Sequence, residues 1–303
     1  MTPRTVKVSI VGGGELAQAT ALRLSEASPF DVVVYDRSRG GSGDKTRELK
    51  SSAAIRGHSA TVQAASNPVD TAGSDILVMT PEPSESRSSE RALSMDLESV
   101  IAWSDEPVIV VADSASGLLC ALAQSLTGVS ARRVIGTGTL PDSARLQVMF
   151  AHELGLSVQG VEALAIGRPG RSAIPIVRFA TASGIPLVDL IGTARLSEIV
   201  SEFRSSGSNG VKSPTRESAL AYAQVAAIER IVTAIGLGKG DLLPSTVMLN
   251  GEYGLTNVYL SVPAVLGPGG VEKVVELDLA MDELISLRRT ASEFGAVPGR
   301  ASP

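Results

Sequence analysis

The segment Val6-Lys-Val-Ser-Ile-Val-Gly12-Gly-Gly14-Glu-Leu-Ala17-Gln-Ala-Thr-Ala-Leu-Arg-Leu-Ser-Glu26 decides the fold. Val6 to Val11 is a short β-branched run, suited to a strand. A glycine turn follows, and a helical pattern runs from Glu15 to Ala27. Val32 to Tyr35 is a second apolar strand, ending at Asp36. In Gly12-x-Gly14-x-x-Ala17 the first glycine permits a tight turn. The second lets the backbone approach a pyrophosphate, and the small Ala17 allows close helix–strand packing. Unpaired N–H groups at the helix start face the anion. Asp36 stands 19 residues after Ala17. An acid there bonds the adenosine ribose hydroxyls and repels a 2′-phosphate. Gly12, Gly14, Ala17 and Asp36 are therefore the expected nucleotide site. Arg37 and Arg39 pull toward NADP, but Asp36 favours NAD.

Beyond Asp36, strands alternate with helices. A loop spans Arg37 to Asp44 and a helix Lys45 to Arg56. Ala60 to Ala64 and Ile76 to Met79 read as strands, and Pro81 to Ser89 as a mobile loop. Leu93 to Trp103 is helical, Val108 to Ala112 a buried strand, and Gly117 to Leu126 a helix before a short strand at Val134-Ile135. This alternation predicts a doubly wound parallel sheet. After Gly138 the rhythm changes. Ser143 to Leu154 is helical, and Val161 to Ile166 and Ile174 to Phe179 read as strands. Ser205 to Asn209 reads as a solvated loop and Ser218 to Ile235 as a long helix. Val247 to Leu249 and Val258 to Val262 pair across a turn signal at Asn250-Gly251. Leu277 to Phe294 is a closing helix. We place a nucleotide-binding domain at 1–137 and an α+β substrate domain at 138–303.

Composition narrows the class. Across 303 residues, 44% are hydrophobic and 19% charged, which excludes a disordered or fibrous chain. A net charge of −5 leaves no basic footprint for nucleic acid. One cysteine, Cys120, and two histidines, His58 and His152, make a disulfide impossible within the chain and a Cys/His metal site unexpected. No run of ~18 apolar residues suggests a membrane span. The N-terminus shows no signal-peptide pattern, so a cytoplasmic protein is expected.

Two later segments carry a family resemblance. Arg133-Val-Ile-Gly-Thr-Gly-Thr-Leu-Pro-Asp142-Ser-Ala-Arg145 and Val258-Tyr-Leu-Ser-Val-Pro-Ala-Val-Leu-Gly267 resemble segments of the lactate and malate dehydrogenases, in the same order along the chain. The resemblance implies a Rossmann domain followed by an α+β domain, assembled as a homodimer or homotetramer. It implies that Arg145 clamps a substrate carboxylate, for which a planar guanidinium offers two parallel hydrogen bonds. It gives Asp142 the place of the aspartate that orients the catalytic histidine. Arg91 falls on the loop arginine that polarises the substrate carbonyl, with Arg87 as competitor. Glu85 falls on the position that reads the substrate's side group.

The chain departs from this pattern at Gly167-Arg168-Pro169-Gly170-Arg171-Ser172, where the family has Gly-Glu-His-Gly-Asp-Ser. The spacing from Arg145 fits without a gap. The proton-transferring histidine is thus replaced by Pro169, which has neither a titratable group nor an N–H. Both flanking acids have become arginines, Arg168 and Arg171, which suits an anionic substrate. Asp113 stands where the family has a neutral asparagine. Losing a positioned general acid typically costs ~10²–10⁴-fold, so ordinary lactate or malate turnover is not expected. The expected activity is an NAD-dependent oxidoreductase on an unusual oxo or imino acid, with Asp142 or Asp113 handling the proton. The alternatives are a non-redox lyase or cyclase on the same scaffold, or a silent ligand-binding homologue.

Overall fold

The structure, a computed structural model, describes residues 5–26, 30–37, 41–57, 61–81, 86–112, 116–209 and 216–294. Six parallel strands open it: β1 (Val6–Val11), β2 (Phe30–Tyr35), β3 (Val62–Ala65), β4 (Ile76–Met79), β5 (Val108–Val111) and β6 (Val134–Gly136). Between them run α1 (Glu15–Glu26), α2 (Gly41–Ile55), α3 (Ser86–Val100) and α4 (Ser116–Thr127). Their order is β3-β2-β1-β4-β5-β6. Successive strands are added outward in one direction from β1 to β3 and in the other from β4 to β6, and this switch between the parallel β1 and β4 opens a crevice at their carboxyl ends.

Burial follows the strand period. Val32 and Val34 face one layer, where Ala17, Ala21 and Leu24 of α1 pack. Val33 and Tyr35 face the other, against Leu93, Leu97 and Val100 of α3. Ala17 is fully buried, as close helix–strand packing requires.

The second half contains α5 (Leu140–Leu154), β7 (Val161–Glu162), β8 (Ala165–Gly167), β9 (Ala173–Pro175), β10 (Thr181–Ala182), β11 (Ile185–Pro186) and α6 (Leu187–Leu190). Then come α7 (Thr193–Asn209), α8 (Arg216–Leu237), β12 (Asp241–Asn250), β13 (Thr256–Gly267), β14 (Gly270–Val274) and α9 (Met281–Phe294). β12 joins the edge of β6 antiparallel, through Thr246 and Gly136. β13, β8 and β9 extend the sheet, β14 pairs with β13, and β11-β10-β7 form a small separate sheet. Helix α8 returns to the first half, placing Ile228, Ile231 and Val232 in the same layer as α1. A third core joins Leu146 and Phe150 of α5 to Leu196, Ile199 and Phe203 of α7.

Several expectations are corrected. Of the loop expected at Pro81 to Ser89, positions 82–85 lie outside the described residues, and α3 already begins at Ser86. Arg87 and Arg91 therefore stand on a helix. Ser205 to Asn209 is not a loop but the last turn of α7, held inward by the buried Phe203. The Asn250-Gly251 signal opens a longer turn closed by Gly251 N–H to Leu255 O (2.7 Å), with Tyr253 at φ 56°. Val161 to Ile166 is two strands in different sheets, and the closing helix starts at Met281 rather than Leu277. Among the described residues no helix is long and apolar enough to cross a membrane.

The two halves meet at Gly138, whose φ is 57°. A β-carbon there would sit 2.7 Å from Thr246 N and 3.0 Å from Pro244 O. Gly138→Ala combines a left-handed backbone with overpacking of strand β12. We expect it to cost roughly 2–4 kcal/mol, measured by denaturant unfolding. A loss below about 0.5 kcal/mol would show that β12 yields freely.

Candidate functional site

The nucleotide loop is built where β1, β2 and β4 end together. Gly12 has φ 137°, and its N–H donates to Tyr35 O at 2.9 Å. A β-carbon on Gly12 would lie 2.8 Å from Thr80 O at the end of β4. Thr80 is held by its N–H and its hydroxyl, both donating to Val11 O at 3.0 Å. A β-carbon on Gly13 would overlap the Asp36 carboxylate. The loop therefore lies flat between Thr80 and the buried Asp36, a cradle that side chains would fill. The helix start brings its backbone dipole to the same place. These residues fit a dinucleotide. Lys45 of α2 adds a cation, with Nζ donating to Gly13 O at 3.5 Å. Sequence reasoning missed Lys45 because it is one exposed lysine on a helix, with no motif around it.

The second centre lies at the start of α5. Pro141 fits the first turn, where its missing N–H is an orphan in any case. The Thr139 hydroxyl donates to Ala165 O at 2.6 Å, and the Thr139 N–H donates to Ser261 Oγ at 2.9 Å. Ser143 Oγ accepts the Ala165 N–H at 2.9 Å. This buried seam pins α5 to β8 and β13. It was not anticipated, because no short motif links hydroxyls so distant in sequence.

Pinned this way, α5 presents Asp142 and Arg145 on one face. Asp142 Oδ1 accepts from Arg145 Nη2 at 3.1 Å, and Oδ2 accepts the Gly170 N–H at 3.0 Å. Burial raises the Asp142 carboxyl, while the Gly170 N–H and the Arg145 charge pull it back. The Arg145 guanidinium lies 4.3 Å from the Phe203 ring centroid, and Nη1 donates to the Ser206 hydroxyl at 3.4 Å. Its Nε is buried and has no acceptor among the described residues. Burial lowers the affinity of Arg145 for its proton, and Asp142 opposes this. Phe203 and Ser206 are not marked in the sequence, because no motif or spacing links α7 to Arg145 across about 60 residues.

The other expected site residues are more dispersed. Pro169, at φ −54° and ψ 148°, precedes the turn Gly170–Ser172. Arg168 is half-buried, which lowers its affinity for a proton, and the Glu293 charge from α9 opposes the effect. Arg171 and Arg91 are exposed. His152 is exposed in the last turn of α5. Glu85, Asp113, Arg39 and His58 lie outside the described residues, as does the side chain of Arg87.

The lactate/malate dehydrogenase alpha/beta C-terminal domain profile matches residues 139–296. A malate dehydrogenase of Roseiflexus sp. is 33% identical over 294 residues, covering 94% of this chain and 95% of the relative. The chain belongs to the lactate/malate dehydrogenase family. A malate dehydrogenase of Shouchella clausii is 31% identical over 295 residues, covering 94% of each chain. Among solved structures, malate dehydrogenase from Salinibacter ruber superposes with a TM-score of 0.88, at 29% identity over 95% of each chain. Lactate dehydrogenase from Eimeria maxima, solved with NADH and oxamate, shares the fold with a TM-score of 0.87. That likeness has 22% identity and covers 97% of this chain and 94% of the other.

Because the folded state holds the Asp142 proton more tightly than a free aspartate does, the group favours folding below its ordinary value of 3.8. That contribution is lost as pH rises through the raised value. Asp142→Asn keeps an acceptor for the Gly170 N–H but removes the titration. The melting temperature of the variant minus that of the wild type should therefore be larger at about pH 7 than at about pH 3.5. The opposite slope would show that attraction to Arg145 outweighs burial.

Proposed function

We propose that this chain is an NAD(H)-dependent oxidoreductase acting on a small carboxylate, with imino acids preferred over oxo acids. The observation that carries this reading is the engagement of Asp142. One oxygen is bonded to Arg145 and the other to the Gly170 main chain, beside a proline that holds no proton. An oxo acid needs a proton donor as its carbonyl is reduced. An imine protonated in solution arrives with that proton already in place. The family membership and the relatives' names support dehydrogenase chemistry.

Gly12, Gly14, Ala17 and Asp36 hold the dinucleotide, the first three at the loop and Asp36 at the ribose. When bound, the nicotinamide supplies or takes the hydride. Arg145 receives the substrate carboxylate, for which a planar guanidinium offers paired donors. Phe203 supports the guanidinium from behind. Arg168 and Arg171 add positive charge along the turn after β8, and Arg91 on α3 is the candidate to approach from the opposite side. Asp113 is retained as the second acid, and family membership supports a homodimer or homotetramer.

A calorimetric titration of nucleotide-free protein with NADH, and with NADPH for comparison, tests the cofactor. NADH should bind the more tightly; binding of neither by folded protein overturns the reading. Single-turnover reduction then tests the substrate class. A cyclic imino acid should be reduced at least ~10²-fold faster than the matching oxo acid, and equal rates would overturn the imine preference. Arg145→Lys should weaken carboxylate binding roughly 10- to 100-fold, since an ammonium cannot form the paired bonds.

A further inference from the structure

The adenosine end of the crevice carries three neighbouring charges. Asp36 closes β2 against Gly13, and Arg37 follows it directly. Arg37 Nε lies 3.5 Å from Asp96 Oδ1 on α3. The position of Asp96 is set by packing rather than chance. Leu93, Leu97 and Val100 of the same helix are buried against Val33 and Tyr35, which leaves Asp96 on the flank of that seam. Ser99 Oγ donates to Asp96 O at 2.6 Å and lies 3.4 Å from the Tyr35 hydroxyl, so α3 rests on the end of β2. Burial raises the Asp96 carboxyl; Arg37 opposes this and Asp36 adds to it.

An arginine just after this strand is the ordinary receptor for a 2′-phosphate. Arg37 has the right place for that role, yet an acid on α3 engages it. We infer that Asp96 is a cofactor-specificity residue: by pairing with Arg37 it denies that guanidinium to a 2′-phosphate arriving beside Asp36. This rests on the nucleotide reading of the loop. The nearby Lys45 Nζ lies 3.5 Å from the Gly13 carbonyl. Asp36 alone would repel the phosphate, but a free Arg37 would offset that repulsion. The pair makes the two residues act in the same direction.

The test is calorimetric binding of NADH and NADPH to the wild type, Asp96→Asn, Arg37→Ala and the double variant, each confirmed folded by its thermal melt. Asp96→Asn is nearly isosteric. It should tighten NADPH binding about fivefold and change NADH binding less than about twofold. The double variant should lose the gain. Arg37→Ala alone should leave both affinities near wild type, because the arginine is already engaged. Unchanged NADPH binding by an Asp96→Asn variant that still binds NADH overturns the inference and leaves the nucleotide reading intact. So does a gain that persists in the double variant, or a loss of NADPH affinity in Arg37→Ala. A wild type that binds neither nucleotide overturns the nucleotide reading itself, and this inference with it.

Discussion

A carboxylate buried in the first turn of α5 organises the second half of this molecule. Taking an ionised acid out of water is expensive unless its oxygens are bonded. Asp142 meets that demand with one side chain and one main-chain group, Arg145 and the Gly170 N–H. The first ties together two residues one helical turn apart. The second ties α5 to the turn after β8. Arg145 must then be accommodated in turn, and α7 does this with the face of Phe203 and the hydroxyl of Ser206. The helix macrodipole favours an acid at this position, but the main-chain bond explains why it can be so deeply buried.

The same bond gives a physical account of the proline. If a ring nitrogen is absent from this site, an unsatisfied buried carboxylate would cost about 1–3 kcal/mol or more. Pro169 itself has no N–H to offer, but it sits in an extended conformation that leads into a tight turn. That turn aims the following N–H at Asp142. The acid therefore has a structural role, bonded to Arg145 and to the Gly170 N–H. Its burial also favours its protonated form, so its charge depends on Arg145 and Gly170 remaining in place.

Much of the first half was legible because local rules and packing agree there. The strand–glycine–helix order required Gly12 at a conformation open to glycine, Ala17 against the sheet, and Asp36 at the strand end, and each stands so. The second half was harder to read. Its strands β10, β11 and β14 are two to five residues long and draw their pairing from distant partners, so they leave little periodic signal. The helical end of α7 was missed because Ser205 to Asn209 is polar, whereas its position is decided by Phe203 one turn earlier. At the site, Asp142 and Arg145 are marked by the resemblance to the family, and their spacing places them on one helical face. Gly170 as the partner of Asp142, and Asp96 as the partner of Arg37, are contacts across 28 and 59 residues that no window of sequence displays.

The two ends of the crevice differ in what sustains them. The nucleotide end is shaped by backbone: a glycine at positive φ, a threonine bonded to β1, and a strand end that brings an acid to the loop. Changing it means adding atoms where none fit. The Asp142–Arg145 centre is shaped by side chains on α5 and α7 and by the turn after β8. Arg168 is half-buried and Arg171 exposed in the turn after β8, and Pro169 there has an extended backbone. The glycine loop is thus held by the main chain, whereas the surroundings of Asp142 are held largely by side chains from separate elements.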